Sequence, residues 1–574
     1  MEHLSNIDAA FLHLETPETP MHVGSLMLLD LPPGHQGDFY EEFKAMLAKR
    51  MHMASVLTRK LAPMPFELAE PVWIEDDDVD LDYHVRTHML RPPGSMDQLR
   101  RLVARLHSSL LDRSRPLWEV YVIEGLASGQ IGFYSKVHHS GIDGKAGAEL
   151  ARVLYDTSPE IREVTAPRRR RRAGRFDDYQ LGVAELLQAA VNNSFKQYRK
   201  LFTLLPTAVR AVSVASRVAA NQFLGGKERS LSLGLAPKTI FNEPITNQRS
   251  YATLSVPFQD LKALGKRVGG TVNTIVMCMC SEAVRGFLQA RHALPAEPLI
   301  AGVPVSLRDE GNDAMNNQVS AVRVDLATDI ADLGERFKAI HASSEAAKAV
   351  VRELKPVLGV DMPITGAPWI MTSLASLYGR STLARDLPPV ANLLISNVPG
   401  PPVPLYVAGA RMRQYYPVSI PYHGNALNIT VNSYGGTSLE FGIVACRRAL
   451  TQEEVQELAE RLEQALEKIK RLPDAVPAPA AEAAASPAPA PAARQRAAPK
   501  RAAKKPAAAQ AAAARRADAA APAKKASEKK TSAKKPPAKK TAGKKAAARP
   551  PAMARAAAQA SATGADAAAA PAAP

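Results

Sequence analysis

Cysteine is scarce: Cys278, Cys280 and Cys446 are the only three in 574 residues. Their spacing makes neither a disulfide framework nor a metal-ligand pattern, which fits a reducing cytoplasm. No uncharged apolar run reaches about 18 residues, so no membrane-spanning helix is expected. The opening Met1-Glu2-His3-Leu4-Ser5 lacks a basic segment followed by an apolar stretch, so no secretory signal is expected. Any contact with lipid should therefore be made from the surface. Acidic residues are nearly missing from one region: residues 475–574 hold 20 Lys or Arg and 4 Asp or Glu. The first 474 residues hold 53 basic and 52 acidic ones, so the overall net charge of +17 belongs almost entirely to a tail. A basic whole-chain balance is thus no reason to read the folded part as a nucleic-acid binder.

What is present is enough apolar residue, 46% of the chain, for a sizeable core. At about 150 residues per domain the length suggests several units. Residues 1–160 read as mixed α/β, with strand-like runs at 21–29, 118–123 and 130–137 and helical periodicity at 98–111. Residues 161–240 differ. Five arginines at 168–172 precede two basic amphipathic stretches over 179–224, interrupted near Pro206. Such a stretch suits either a crossover packed between domains or a helix lying on a lipid surface. Residues 241–472 return to α/β, with strands at 250–256, 299–307, 317–326, 390–396, 426–433 and 438–446 and a helix at 272–288. A closing helix at 451–468 has Thr451 as its cap, Glu454 three residues on, and an apolar stripe of Val455, Leu458, Leu462 and Leu466. Residues 473–574 are Ala, Pro and Lys with almost no bulky apolar residue, and this tail is expected to be disordered. Its lysine pairs recur every five residues from Lys524 to Lys544, a spacing that spreads charge around the chain and suits a polyanion such as DNA.

The chemistry concentrates at His138-His139-Ser140-Gly141-Ile142-Asp143-Gly144, between a β-rich run and a helix expected near Lys145. An imidazole with a pKa near 6.5 can take a proton at neutral pH. A carboxylate a few residues on can fix a loop or a tautomer, and the glycine after it allows a tight turn or a close approach. His84 and His88 have a spacing open to metal, but no suitable Glu follows, so no metal site is expected.

This motif resembles the active-site signature of the coenzyme A-dependent acyltransferase superfamily. Other segments look more narrowly like the bacterial wax ester synthase/diacylglycerol acyltransferase family. They are Leu4-Ser5-Asn6-Ile7-Asp8-Ala9-Ala10-Phe11-Leu12 with Pro20-Met21-His22-Val23-Gly24, Arg115-Pro116-Leu117-Trp118, Val303-Pro304-Val305-Ser306-Leu307-Arg308, and Ser396-Asn397-Val398-Pro399-Gly400-Pro401. Together they run in family order from about residue 4 to 470. Two departures stand out: Asn273-Thr274 where the family usually has Asn-Asp, and Cys446 where an Asp is expected.

The resemblance implies two chloramphenicol acetyltransferase-like α/β domains with mixed sheets. It implies transfer of a long-chain acyl group from acyl-CoA, as co-substrate and with no permanently bound cofactor, to diacylglycerol or a fatty alcohol. His139 would be the general base. His138, Asp143 and Gly144 would support the motif, Asp143 by pairing with an arginine such as Arg308. Asn273 is a candidate to orient the site, to donate to the oxyanion, or simply to cap its helix. The expected location is cytoplasmic, peripheral to the inner membrane face or to lipid inclusions. The competing reading is a non-catalytic lipid-inclusion or DNA-tethering protein on the same scaffold.

Overall fold

The computed structural model describes residues 2–62, 71–142, 144–165, 235–306, 319–358 and 389–474. Asp143, Arg308, the arginine run at 168–172, the stretch 179–224 and nearly all of the basic tail lie outside the described residues.

The chain begins with β1 (Glu2–His3) and α1 (Asn6–Leu14), which Ser5 caps by accepting the Asp8 N–H at 3.1 Å. Then follow β2 (His22–Asp30), α2 (Phe39–Arg50), β3 (Arg59–Ala62), β4 (Val72–Glu75), α3 (Leu81–His84) and β5 (Val85–Met89). The N-terminal half continues with α4 (Met96–His107), β6 (Trp118–Glu124), β7 (Ile131–His138) and α5 (Gly144–Leu154). The C-terminal half starts with β8 (Arg249–Pro257), α6 (Phe258–Arg267), α7 (Val272–Gln289), β9 (Ile300–Ser306), β10 (Val319–Asp325) and α8 (Leu333–Leu358). It ends with β11 (Leu393–Val398), β12 (Tyr406–Val407), β13 (Ala410–Val418), β14 (Leu427–Tyr434), β15 (Ser438–Cys446) and α9 (Gln452–Lys470).

Two six-stranded mixed sheets carry the fold, as the resemblance implies. The N-terminal sheet runs β12-β13-β2-β7-β6-β5, with only β5 and β6 parallel. The C-terminal sheet runs β10-β9-β11-β14-β15-β8, with parallel pairs at β9/β11 and β11/β14. A small sheet, β1-β4-β3, lies apart from them in the strand order.

Strands β6 and β7 are buried almost without interruption because both faces of the N-terminal sheet are covered. On one face Met27, Leu29, Val120, Val122 and Phe133 pack with Phe43 and Leu47 of α2 and Val153 of α5. On the other, Leu26, Leu28, Tyr121 and Tyr134 meet Leu99, Leu102 and Val103 of α4, together with Tyr251, Tyr416 and Val444. The second cluster therefore joins the two halves. The C-terminal sheet buries Ile429, Val431, Phe441 and Ile443 against α7 and α9. In the three-residue connection from β14 to β15, Gly435 and Gly436 have φ of 59° and 67°, and the Thr437 N–H donates to the Tyr434 carbonyl at 3.1 Å.

One connection is not announced by the sequence. Although β13 comes from the C-terminal half, it pairs with β2 from Arg411↔Asp30 to Val418↔Gly24. It also presses on β15 so closely that a Cβ at Gly442 would sit 1.8 Å from the Pro417 carbonyl oxygen. The two halves are thus joined by a strand that the C-terminal half gives to the N-terminal sheet, and by a point where only glycine fits.

Candidate active site

The end of β7 places His138 at the close of a strand buried on both faces, and the chain then makes a 3-10 turn from His139 to Gly141. His138 is fully buried. Its Nδ1 accepts the Ser140 N–H at 3.1 Å and lies 2.6 Å from Ser140 Oγ. Because Nδ1 is an acceptor there, the ring proton sits on Nε2, which is 3.3 Å from Glu15 Oε1.

Glu15 ends α1 and is buried too. Its Oε1 accepts the Met21 N–H at 3.0 Å, and its Oε2 accepts Arg113 Nη2 and Nε at 2.8 and 3.1 Å. Burial pushes its pKa up, but His138, Arg113 and the Met21 amide outweigh it and hold the carboxyl at about 2. His138 is therefore held between Ser140 and Glu15.

His139 is placed differently. Its N–H donates to the Met21 carbonyl at 2.8 Å, and its ring stacks on Phe11 of α1 with centroids 4.0 Å apart and planes 17° from parallel. Its side chain remains partly accessible. Burial pushes the imidazole pKa down to about 4, with a small contribution from His138, while a bond to its own main chain raises it slightly. At neutral pH this ring is an uncharged base.

Buried polar groups brace the strand behind these histidines. His22 Nε2 donates to the His107 carbonyl at 2.8 Å, and His107 bridges Tyr134 Oη and the Ser419 carbonyl at 2.8 and 3.0 Å. Lys136 Nζ, fully buried, contacts Glu119 Oε2 at 2.9 Å and donates to the carbonyls of Leu106 and Ser109.

Of the candidates read from the sequence, His138 and His139 stand together at this turn. Ser140 is buried against His138, and Gly144 opens α5. Asn273 does not cap its helix. Thr271 does so, and Thr274 closes the capping box. The Asn273 side chain instead accepts Asn397 Nδ2 at 3.4 Å, tying α7 to the end of β11. Thr274 lies 3.0 Å from His341 Nδ1, and Cys446 accepts the Thr246 N–H at 3.3 Å. His84 and His88 fall on different elements, and His84 Nδ1 donates to the Trp118 carbonyl at 2.8 Å. Among the described residues no group of three His, Cys, Asp or Glu could hold a metal ion.

Sequence reasoning missed the roles of Glu15, Arg113 and Phe11. Only Phe11 falls in a segment that the resemblance singled out. Glu15 and Arg113 are ordinary charged residues until the fold brings them together across 98 positions.

Two mixed six-stranded sheets, with paired histidines at the end of an inner strand, form a coenzyme A-dependent acyltransferase architecture. The chain belongs to the wax ester synthase/diacylglycerol acyltransferase family: the family's catalytic domain matches residues 4–276 and its C-terminal domain residues 315–470. A putative diacylglycerol O-acyltransferase of Mycobacterium tuberculosis is 37% identical over 477 residues, 82% of this chain and 99% of that protein. A putative diacylglycerol O-acyltransferase of Mycobacterium bovis is 35% identical over 451 residues, 77% of this chain and 86% of that protein. Among solved structures, the wax ester synthase/diacylglycerol acyltransferase of Marinobacter aquaeolei is 30% identical with a TM-score of 0.57, covering 82% of this chain and 98% of that one.

Two results are expected here. If His139 is the general base, its active form is the unprotonated ring, and activity is lost as pH falls through its pKa. With that pKa near 4, kcat/KM should be as high at pH 5.5 as at pH 7.5 and fall only near pH 4. An inflection near 6.5 would instead describe an ordinary exposed histidine. Glu15→Gln keeps an acceptor for the Met21 amide but removes the charge facing His138 and Arg113. It should lower kcat by about tenfold to a hundredfold through misplacement of the loop, with KM for both substrates nearly constant. An unchanged kcat would show that the loop holds its position without the carboxylate.

Proposed function

We propose that this chain transfers a long-chain acyl group from acyl-CoA to a lipid alcohol, either diacylglycerol or a fatty alcohol, with His139 as general base. The observation that carries the reading is a neutral imidazole, stacked on Phe11 and still partly accessible, next to a histidine clamped by Glu15. His139 takes the proton of the alcohol as its oxygen attacks the thioester carbonyl. The C–S bond then breaks, the proton passes to the departing thiolate, and ester and free CoA result. No acyl-enzyme is needed. The Oγ of Ser140 is buried and engaged with His138, which argues against a nucleophilic role.

His138 holds the loop, Gly144 opens α5, and Asn273 positions the start of α7 beside Asn397. The names of the relatives support diacylglycerol as an acceptor, and the Marinobacter structure supports both acceptor types. The enzyme would work at an inner membrane face or a lipid inclusion, where its acceptors reside. The tail at 473–574, with its 20 basic residues beyond 474, would contact a polyanion such as DNA.

A CoA-release assay against 1,2-diacylglycerols and long-chain alcohols tests the reading. Release that depends on both acyl-CoA and an alcohol is expected. No release with any member of the panel would overturn it.

A further inference from the structure

A cleft of about 750 Å³ lies between α4, the start of β8 and the turn from β15 into α9. Its walls carry Arg101, Arg105, Arg249 and Arg447. It shares Asn247, Gln248 and Arg447 with a neighbouring hollow of about 660 Å³ that adds Arg448. Arg101 is already paired with Asp97 and Glu453 at 2.7 and 2.8 Å. Arg105, Arg447 and Arg448 are exposed, and no ion pair engages them among the described residues.

Arg249 is the informative member. It is buried, yet among the described residues its guanidinium meets only carbonyl oxygens: those of Thr246, of Gln248 at 3.2 Å and of Glu18 at 2.6 Å. Among the described residues no carboxylate pairs with it, and burial depresses its pKa to about 10. A buried cation left without a counter-charge is costly unless something supplies one. Here it lines a hollow of small-molecule size, with further guanidinium groups around the rim.

Guanidinium forks match phosphate oxygens in shape and charge. Pro17, Ala104 and Leu110 add an apolar wall on which a flat base could rest. We propose that this cleft binds the phosphates of the coenzyme A nucleotide and so anchors the acyl donor. The inference rests on the acyl-CoA reading above. It is tied to that site through one short segment: Pro17 lines the cleft, the Glu18 carbonyl holds Arg249, Glu15 clamps His138, and the Met21 carbonyl holds the His139 amide. The opposite wall contributes Ser109, whose carbonyl accepts Lys136 Nζ of β7 at 3.0 Å.

The test uses the full chain and adenosine 3′,5′-bisphosphate as probe. Wild type should bind the probe by calorimetry and be inhibited by it competitively with acyl-CoA. The double variant Arg105→Ala/Arg447→Ala removes two exposed guanidinium groups. It should weaken probe binding and raise KM for acyl-CoA by about tenfold or more, because hydrogen bonds to charged groups are the strong ones. With an S-acyl-pantetheine donor, which lacks the nucleotide phosphates, the KM difference should vanish. Unchanged probe affinity and unchanged KM would overturn the proposal. So would a double variant that loses only its binding to vesicles containing phosphatidylglycerol, since that marks a lipid-headgroup site. Calorimetry does not depend on turnover, which separates two failures. Probe binding without CoA release would count against the acyl-transfer reading, and CoA release with an unmoved KM against this cleft.

Discussion

His139→Ala is expected to lower CoA release by about 10²–10⁴-fold, the usual contribution of a positioned base. An alcohol hydroxyl is a poor nucleophile until its proton has somewhere to go, and a ring held neutral by burial is available at every ordinary pH. The stack on Phe11 fixes the plane in which the ring can meet a hydroxyl. The fold should survive, because the β7 strand is held by its sheet partners and the turn by His138, Glu15 and the Met21 carbonyl. His138→Ala provides the contrast. It leaves the Glu15 carboxylate buried with one partner fewer, so it should lower both turnover and thermal stability. Full turnover in the His139 variant, with an unchanged melting temperature, would end the general-base assignment.

The second large effect concerns stability. Glu119→Ala leaves the Lys136 ammonium fully buried with only two carbonyls, and it also strips Tyr121 Oη of its 2.8 Å bond to Glu119. Breaking one partner of a buried pair costs about 3–5 kcal/mol. That is a large share of the roughly 5–15 kcal/mol that holds an ordinary domain together. Urea denaturation should show the loss, and the double variant Glu119→Leu/Lys136→Met should recover much of it by removing both charges. A loss below about 1 kcal/mol in Glu119→Ala would mean that the ammonium finds water or loses its proton at little cost. The pair lies two residues from the His138 end of β7, so activity should fall along with stability.

Much of this architecture can be read from the residues alone, and the reason is local. The strand with the histidine pair is a β-rich run, Ile131 to Val137, that ends abruptly at the histidines. The closing helix declares its start through Thr451 and Glu454, and the structure forms that capping box. Other elements hide because their signals are not local. Helix α2 is the exception: Asp38 caps it, and Phe39, Phe43, Met46 and Leu47 are buried at helical spacing. Strand β13 reads Ala-Arg-Met-Arg-Gln-Tyr-Tyr-Pro-Val, and its place in the sheet depends on a partner nearly 400 residues earlier. Glu15 and Arg249 escape for the same reason. Nothing beside them in sequence distinguishes a carboxylate that clamps a histidine, or a buried guanidinium held by carbonyls, from any surface charge. Asn273 was open to three readings. The cap goes to Thr271, two residues earlier, where a side-chain oxygen can reach the free amides of the first turn.

The borrowed strand also has a consequence for how the molecule is made. As the chain emerges during synthesis, β2 and β7 can pair as soon as both exist, but the outer side of β2 must wait for residues 410–418. Through that interval the nascent protein carries a bare row of main-chain donors and acceptors, a template for pairing with any other extended chain. Separate production of the two halves would make this transient state permanent. Cutting the gene between residues 165 and 235 should therefore yield two sticky fragments that become tractable only when expressed together.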